Sequence, residues 1–441
     1  PGGSVAINIV PVRQDAAFFG VPSLHYTMQQ NPVFDPYRTA GMPASDVVPG
    51  QPAVGATGSI APGVWAFDLP DSGFLFPGDI LHYYIKAEDE VLGNPATRQT
   101  SLLPGDITGF GDFASPNAYN SSYIVRGLPS IVPDGAGYKQ PKVLFVNDFG
   151  NRGGENEWYF AFNNIGLLSG EDYDIYHVNG PSSGVGNGIG GRATHLTLIG
   201  EKTTPEDDAM AGYTEILYTA GDLGAYSIAN GDFEEDPSQD VTLFQNWLDF
   251  GGNDLFVTGD DVLSYLAGSA GASLDLLEDH FGVSVVSNDI NPLIGGQTTP
   301  LIRVTPGNPV WTGALQTWIA YGGCLSINTF DAVNPTGTGQ RIADFTDAQG
   351  NTPTNPYSAA TLNIMNPDTP LQSRVISLPY DFMYINTDPA GLPNPLSGRA
   401  QLLKDVLAYF GIDGNSGNVS AVLPGITFQT SNYPNPFNPS T

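Results

Sequence analysis

The chain has 441 residues, long enough for two or three domains that each bury a core of their own. Charged residues make up 14% of it, against roughly 25% in ordinary soluble domains, and 45 acidic residues stand against 15 basic ones, so the net charge of −30 reflects scarce lysine and arginine. That balance excludes nucleic acid and anionic membrane surfaces as natural partners, because both would be repelled, and no apolar run approaches the length of a membrane-spanning helix.

Residues 1–138 read as an all-β sandwich. Pro1 is not an initiator and no signal peptide precedes it, as expected of a processed or trimmed chain. Alternating stretches at Val5–Val10, Ser23–Met28 and Val64–Leu69 are separated by Pro- and Gly-rich turns. The clearest strand is Ile80–Ala87, introduced by the turn Phe76-Pro77-Gly78-Asp79. The block Trp65–Pro70 followed by Gly78–Asp89 resembles immunoglobulin-like or fibronectin-like modules of secreted bacterial proteins, which implies a spacer or docking role.

The pattern changes near Lys142. Residues 139–412 alternate buried-strand runs with helical spacing: strands at Lys142–Asn147, Tyr173–Val178, Tyr213–Thr219 and Asp254–Thr258, and helices at Glu155–Asn164, Val241–Phe250, from Asp261, and at Ser273–Phe281. Such alternation predicts βαβ units and a mostly parallel sheet, flavodoxin-like in outline. The stretch to about Asn363 reads as turns and short strands. Arg374–Leu378 returns to strand, and Ser397–Phe410 closes as an amphipathic helix with Leu402, Leu403, Val406, Leu407 and Phe410 on one side. The runs Trp247–Asp261, Arg374–Phe382 and Arg399–Leu403 with Tyr409-Phe410-Gly411 resemble the class I glutamine amidotransferase-like fold as found in secreted bacterial proteins.

Residues 413–427 read as a flexible linker, and 428–441 open a further segment. Its string Asn432-Tyr433-Pro434-Asn435-Pro436-Phe437-Asn438-Pro439-Ser440-Thr441 resembles the start of C-terminal sorting domains of the type IX secretion pathway. That resemblance implies export to the cell surface or beyond. The 54 Gly and 37 Pro, which give a turn-rich, neutral-polar surface, agree with extracellular modules.

Enzymes of the amidotransferase-like fold present a Cys at a sharp turn after a strand, with a His and an acidic partner later in the chain. Here the turn Thr258-Gly259-Asp260-Asp261 puts a carboxylate at that place. The lone Cys324 comes too late and no His follows His280, so the usual Cys-then-His order is impossible. Cys324 reads as a buried structural residue; His177 and His195 precede it without a matching motif. With one cysteine there is no internal disulfide, and stability must come from packing or from bound cations such as Ca²⁺.

Asp148, Asp222, Asp260 and Asp261 all follow expected strands, with His177 at the end of another. In an open parallel sheet the carboxyl ends of the strands share one crevice. Two readings stand side by side: a Ca²⁺ or Mg²⁺ site or carboxylate hydrolase centre, and aspartates that cap the following helices and turns. The Gly-rich run Gly184–Gly191 lacks the Lys of a nucleotide loop and reads as a surface loop. Trp158, Tyr159, Phe160 and Phe162 share one helix; they serve the core, or an exposed subset meets sugars or a neighbouring protomer.

The expected function is that of a secreted, non-enzymatic structural or adhesive surface protein that self-associates into a filament or layer, or meets other surface proteins or glycans. The alternatives are a secreted hydrolase acting on polysaccharide or peptide through the strand-end carboxylates, and a carbohydrate-binding surface protein with aromatic rings exposed in a groove.

Overall fold

The computed structural model describes residues 5–11, 16–54, 60–70, 73–114, 118–134, 137–149, 154–178, 188–192, 212–222, 224–232, 237–297, 300–320, 329–347, 349–386 and 398–412. His195, Cys324, the run 184–187, the linker and the sorting motif Tyr433–Pro439 lie outside them. The chain divides into two compact units, one running to Pro141 and the other beginning at Lys142.

The first unit is antiparallel throughout. Its strands are β1 (Val5–Asn8), β2 (Ala16–Phe18), β3 (Ser23–Gln29), β4 (Ser45–Pro49), β5 (Gln51–Val54), β6 (Ile60–Phe67), β7 (Ile80–Val91), β8 (Gln99–Leu103) and β9 (Ile124–Arg126), followed by the hairpin β10 (Val132–Asp134) and β11 (Gly137–Lys139). One sheet runs β2-β7-β3-β4, with β8 and β9 also on β7; a smaller one runs β1-β6-β5. Alternation decides which face is buried. Leu24, Tyr26 and Met28 of β3 and Leu81, Tyr83 and Ile85 of β7 share one core with Phe67 of β6. Two antiparallel sheets thus bury a common set of side chains. The turn before β7 is fixed by a buried ion pair: Arg38 Nη2 and Nη1 lie 2.6 and 2.8 Å from the Asp79 carboxylate, which also accepts from the backbone N–H of Asn31 and Phe76.

The second unit holds β12 (Val143–Asn147), β13 (Tyr173–His177), β14 (Glu215–Thr219), β15 (Asp254–Thr258), β16 (Val283–Ser287), β17 (Leu301–Val304), β18 (Thr317–Ala320), β19 (Ala332–Pro335), β20 (Gln340–Phe345), β21 (Ser358–Met365), β22 (Ser373–Leu378) and β23 (Ile385–Asn386). Their order is β13-β12-β14-β15-β22-β21-β20-β17-β18-β23, with β19 on β21 and β16 on β19. The strands from β13 to β22 pair in parallel. From β22 outward every pairing is antiparallel. The sheet is therefore mixed, which corrects the mostly parallel expectation. The difference lies in the stretch after β15: a parallel neighbour needs a crossover of a dozen or more residues, and the short link between Met365 and Ser373 allows β21 and β22 only an antiparallel pairing.

Every residue of β12, β14 and β15 is buried, as a strand covered on both faces requires. Phe145, Leu217, Phe256 and Ile376 pack against Trp158 and Phe162 of the helix Glu155–Asn164 and against Leu403 and Val406 of the closing helix Gly398–Phe410. The alternate residues face the other way, where Tyr218 meets Phe244 of the helix Asp240–Phe250 edge to face. Asn147 is level with His177 and Thr219, Thr219 with Thr258, and Thr258 with Leu378. Five strand ends in register release their following residues along one edge.

Candidate functional site

Beyond that edge the chain turns sharply. β15 ends at Thr258 and the helix Val262–Gly268 begins four residues later, with Asp261 at the joint in a left-handed conformation, φ 65°. A non-glycine residue so placed costs of order 1–3 kcal/mol and marks a turn imposed by its surroundings. The turn is packed closely: a Cβ on Gly224 would lie 2.4 Å from the Asp261 carbonyl oxygen, so only glycine fits there. Some α/β enzymes present a nucleophile at a strand–turn–helix joint. Here it presents a carboxyl.

Capping does not account for Asp261. Its side chain makes no cap hydrogen bond to the helix it precedes. The cap comes from Asp331, remote in sequence, which accepts from the Ser264 backbone N–H at 3.0 Å. Asp381, after β22, ties the strand ends together. It accepts from the Thr219 hydroxyl, from the Thr258 hydroxyl at 3.1 Å, and from the N–H groups of Gly221 at 3.1 Å and Met383 at 2.9 Å.

Asp222, Asp260 and Asp261 do come together, joined by Asp331 and Asp381. Burial pushes the Asp260 carboxyl well above its usual range, reinforced by Asp261, Asp331, Asp222 and Asp381. Burial raises Asp222 to about 7, with Asp381 and Asp261 adding to it. Asp331 is raised to about 7, chiefly by burial. Burial also raises Asp261 and Asp381, against the hydrogen bonds they accept. Asp148 is engaged by the Tyr218 hydroxyl, which also contacts the Ser227 carbonyl. Among the described residues no group of three His, Cys, Asp or Glu stands where it could hold a metal ion.

Asp222 and Asp261 open onto a cleft of about 710 Å³, lined also by Gly224, Ser264, Tyr265 and Asn288. Tyr265 meets Tyr226 edge to face, centroids 5.3 Å apart; Tyr226 is held at φ 62°.

His177 belongs to a different group. Its ring nitrogens lie 3.4 Å from Asn147 Nδ2 and 3.4 Å from the Tyr159 hydroxyl, and Asn147 donates to Glu155 at 2.8 Å. Burial lowers the imidazole to about 4 and raises Glu155 to about 7. The described end of the Gly-rich run is spoken for: Gly190 N–H donates to Asp240 at 2.6 Å. Of the helix aromatics, Trp158 and Phe162 are buried and only Phe160 is largely exposed.

Asp331, Asp381, Ser264 and the two tyrosines escape a reading of the sequence. Asp381 had a signal, because it follows a strand as Asp222 and Asp260 do. Asp331 had none: it precedes β19, far from any parallel strand.

No family model matches the chain, and no curated protein matches it. Solved structures that resemble it include a GMP synthase component from Thermoplasma acidophilum, at 10% identity, covering 61% of this chain and 94% of that one, with a TM-score of 0.33. The N-terminal domain of mmIFT52 aligns at 10% identity over 63% of this chain and 98% of its own, TM-score 0.33. Agd3, a carbohydrate deacetylase, aligns at 14% identity over 61% of this chain and 32% of its own, TM-score 0.33. The chain therefore spans about a third of that deacetylase. At this level the likenesses carry no argument about activity.

Proposed function

We propose that this chain is part of an exported, non-enzymatic surface protein, with an immunoglobulin-like module ahead of an amidotransferase-like domain that has lost its nucleophile. The observation that carries the reading is Asp261. The strained joint that would present a nucleophile carries a carboxyl, and its nearest charged company is further carboxyls. Neutral acids make poor nucleophiles, and the half-buried His177 has Asn147 and Tyr159 as its partners. The string Tyr433–Pro439 supports export, and the turn-rich, neutral-polar composition supports contact with other surface proteins and glycans.

Electron microscopy of the full chain at high concentration, together with assays on polysaccharide and peptide substrates, tests this. Regular filaments or layers without turnover are expected. Hydrolysis that Asp261→Asn abolishes would sink it. One observation favours that second reading: Asp222 and Asp331 titrate near the pH at which general acids and bases work best.

A further inference from the structure

We infer that the groove beside β20 binds a neutral saccharide, held by its hydroxyls between the Arg341 guanidinium and the Asp344 carboxylate. The inference deepens the proposed contact with glycans, and rests on that reading only in treating the sugar as bound and not cleaved.

The groove has a volume of about 600 Å³, and both Arg341 and Asp344 line it. Three observations converge there. The first is the strand. In a regular strand residues three apart point to opposite faces, so these two side chains would not meet. The pairing of β20 with β21 shifts register between Arg341 and Ala343 and again between Ala343 and Asp344. Those irregularities turn both side chains into one groove. A bulge gives up ladder hydrogen bonds, and it recurs where a side chain has to be re-aimed.

The second is the pair itself. Arg341 Nε and Asp344 Oδ1 lie 2.8 Å apart, yet neither atom has a hydrogen-bond partner, because the N–H misses the oxygen. Asp344 is 5% exposed; burial raises its carboxyl and the Arg341 charge lowers it. A buried ion pair with its hydrogen bonds unmade does little for stability. Arg341 Nη1 donates to the Pro356 carbonyl at 2.8 Å. Arg341 Nη2 and Asp344 Oδ2 make no hydrogen bond to the protein, which leaves a charged donor and a charged acceptor side by side.

The third is the wall. Gln340, Thr352 and Thr354 add an amide and two hydroxyls. Pro306, Pro335, Pro353 and Pro356 add rings whose fixed φ holds the wall in shape before a ligand arrives, so less freedom is lost on binding.

Charge decides between ligands. The pair is neutral as a whole. A carboxylate drawn to Arg341 is repelled by Asp344 and by the net charge of −30, and a cation drawn to Asp344 meets the guanidinium. A zwitterion satisfies the pair and leaves the amide and hydroxyls of the wall unused. A vicinal diol uses both: one hydroxyl accepts from Arg341, its neighbour donates to Asp344, and the remaining hydroxyls of a sugar ring face the wall.

The test is titration of the full chain with methyl α-mannoside, methyl β-glucoside and maltose, followed by saturation-transfer NMR. Glucuronate, glucosamine, alanine and cyclohexanol serve as comparisons. Saturable binding of a neutral sugar is expected, little changed by salt and absent for cyclohexanol, whose ring matches but which carries a single hydroxyl. Asp344→Asn keeps the shape of the side chain and removes the charged acceptor; it should weaken binding about tenfold. Gln340→Ala, at an exposed position, should weaken it severalfold with the thermal transition in place, which guards against misfolding as the cause. Preference for glucuronate, glucosamine or alanine over the neutral sugars, binding that neither variant weakens, or no binding at all overturns the inference. Failure of this kind leaves the non-enzymatic reading intact, whereas cleavage of maltose or a glycoside overturns that reading and not the groove.

Discussion

Single residues carry much of this structure because their polar groups are buried among few alternatives. Asp381 receives donors from the ends of β14 and β15 and from its own loop, so it fixes where the strand ends stand relative to one another. Asp381→Ala would strand the Thr219 hydroxyl and two N–H groups away from water and leave the Thr258 hydroxyl only the Tyr218 carbonyl. We expect it to destabilise the second unit by at least about 3 kcal/mol, read as a lower denaturant midpoint. In the first unit Asp79 is fully buried against Arg38. Asp79→Ala leaves that guanidinium with only the exposed Asp35 as an ionic partner, and unfolding titrations should show a loss of about 3–5 kcal/mol. Neither role is legible in sequence. Asp79 reads there as a turn residue, and nothing local says that Arg38 will reach it.

Elements were more legible than residues. The helices Glu155–Asn164, Asp240–Phe250 and Gly398–Phe410 and the strands β12, β14, β15 and β22 fall within a residue or two of where their hydrophobic spacing places them. The helices are legible because each buries one face, and the strands because a continuous apolar run marks burial on both faces. Spacing failed between 283 and 365, where β16, β17, β18 and β19 are too brief for a period to stand out and β20 and β21 are buried over most of their length. It also missed the change from α to π turns at Leu276–His280, within the helix expected at Ser273–Phe281. What anchors the closing helix is a tertiary matter. Arg374, at the start of β22, pairs with Asp254 and donates to the Tyr409 and Phe410 carbonyls, so one guanidinium caps the helix and joins it to two strands. Arg374→Lys keeps the charge but not the fork. We expect it to lower the unfolding midpoint and to speed hydrogen exchange in the last turn of the helix, with β12 and β14 unaffected.

Across the whole second unit the buried acids set a pH dependence. In the folded protein Asp222 and Asp331 hold protons up to about pH 7, whereas their ordinary value is 3.8. Between those limits the folded state binds more protons than the unfolded one, so stability is full at low pH and falls as pH rises towards 7. Glu155 and Glu215, raised to about 7, and Asp405, raised to about 6, act in the same direction. His177, lowered to about 4, opposes them between there and its usual 6.5. The acids outnumber it, so calorimetry should find the transition of this unit several degrees higher at pH 5 than at pH 8. The double change Asp222→Asn with Asp331→Asn should flatten that slope; an unchanged slope would refute the buried-acid account.

By itself the sequence determined that a strand-rich stretch precedes one alternating strands with helices, the scarcity of positive charge, the absence of a Cys-then-His order and the presence of carboxyls after several strands. These follow from local spacing and residue counts, which the chain carries whatever its fold. Only the tertiary structure decided that the sheet turns antiparallel beyond β22, that Asp331 caps a helix in place of Asp261, and that Asp222, Asp260 and Asp261 share a crevice with Asp331 and Asp381. Those outcomes depend on which strand ends lie level and on which distant side chain fills a buried hydrogen-bonding place. Burial and strand register create both, and neither leaves a local mark in the order of the residues.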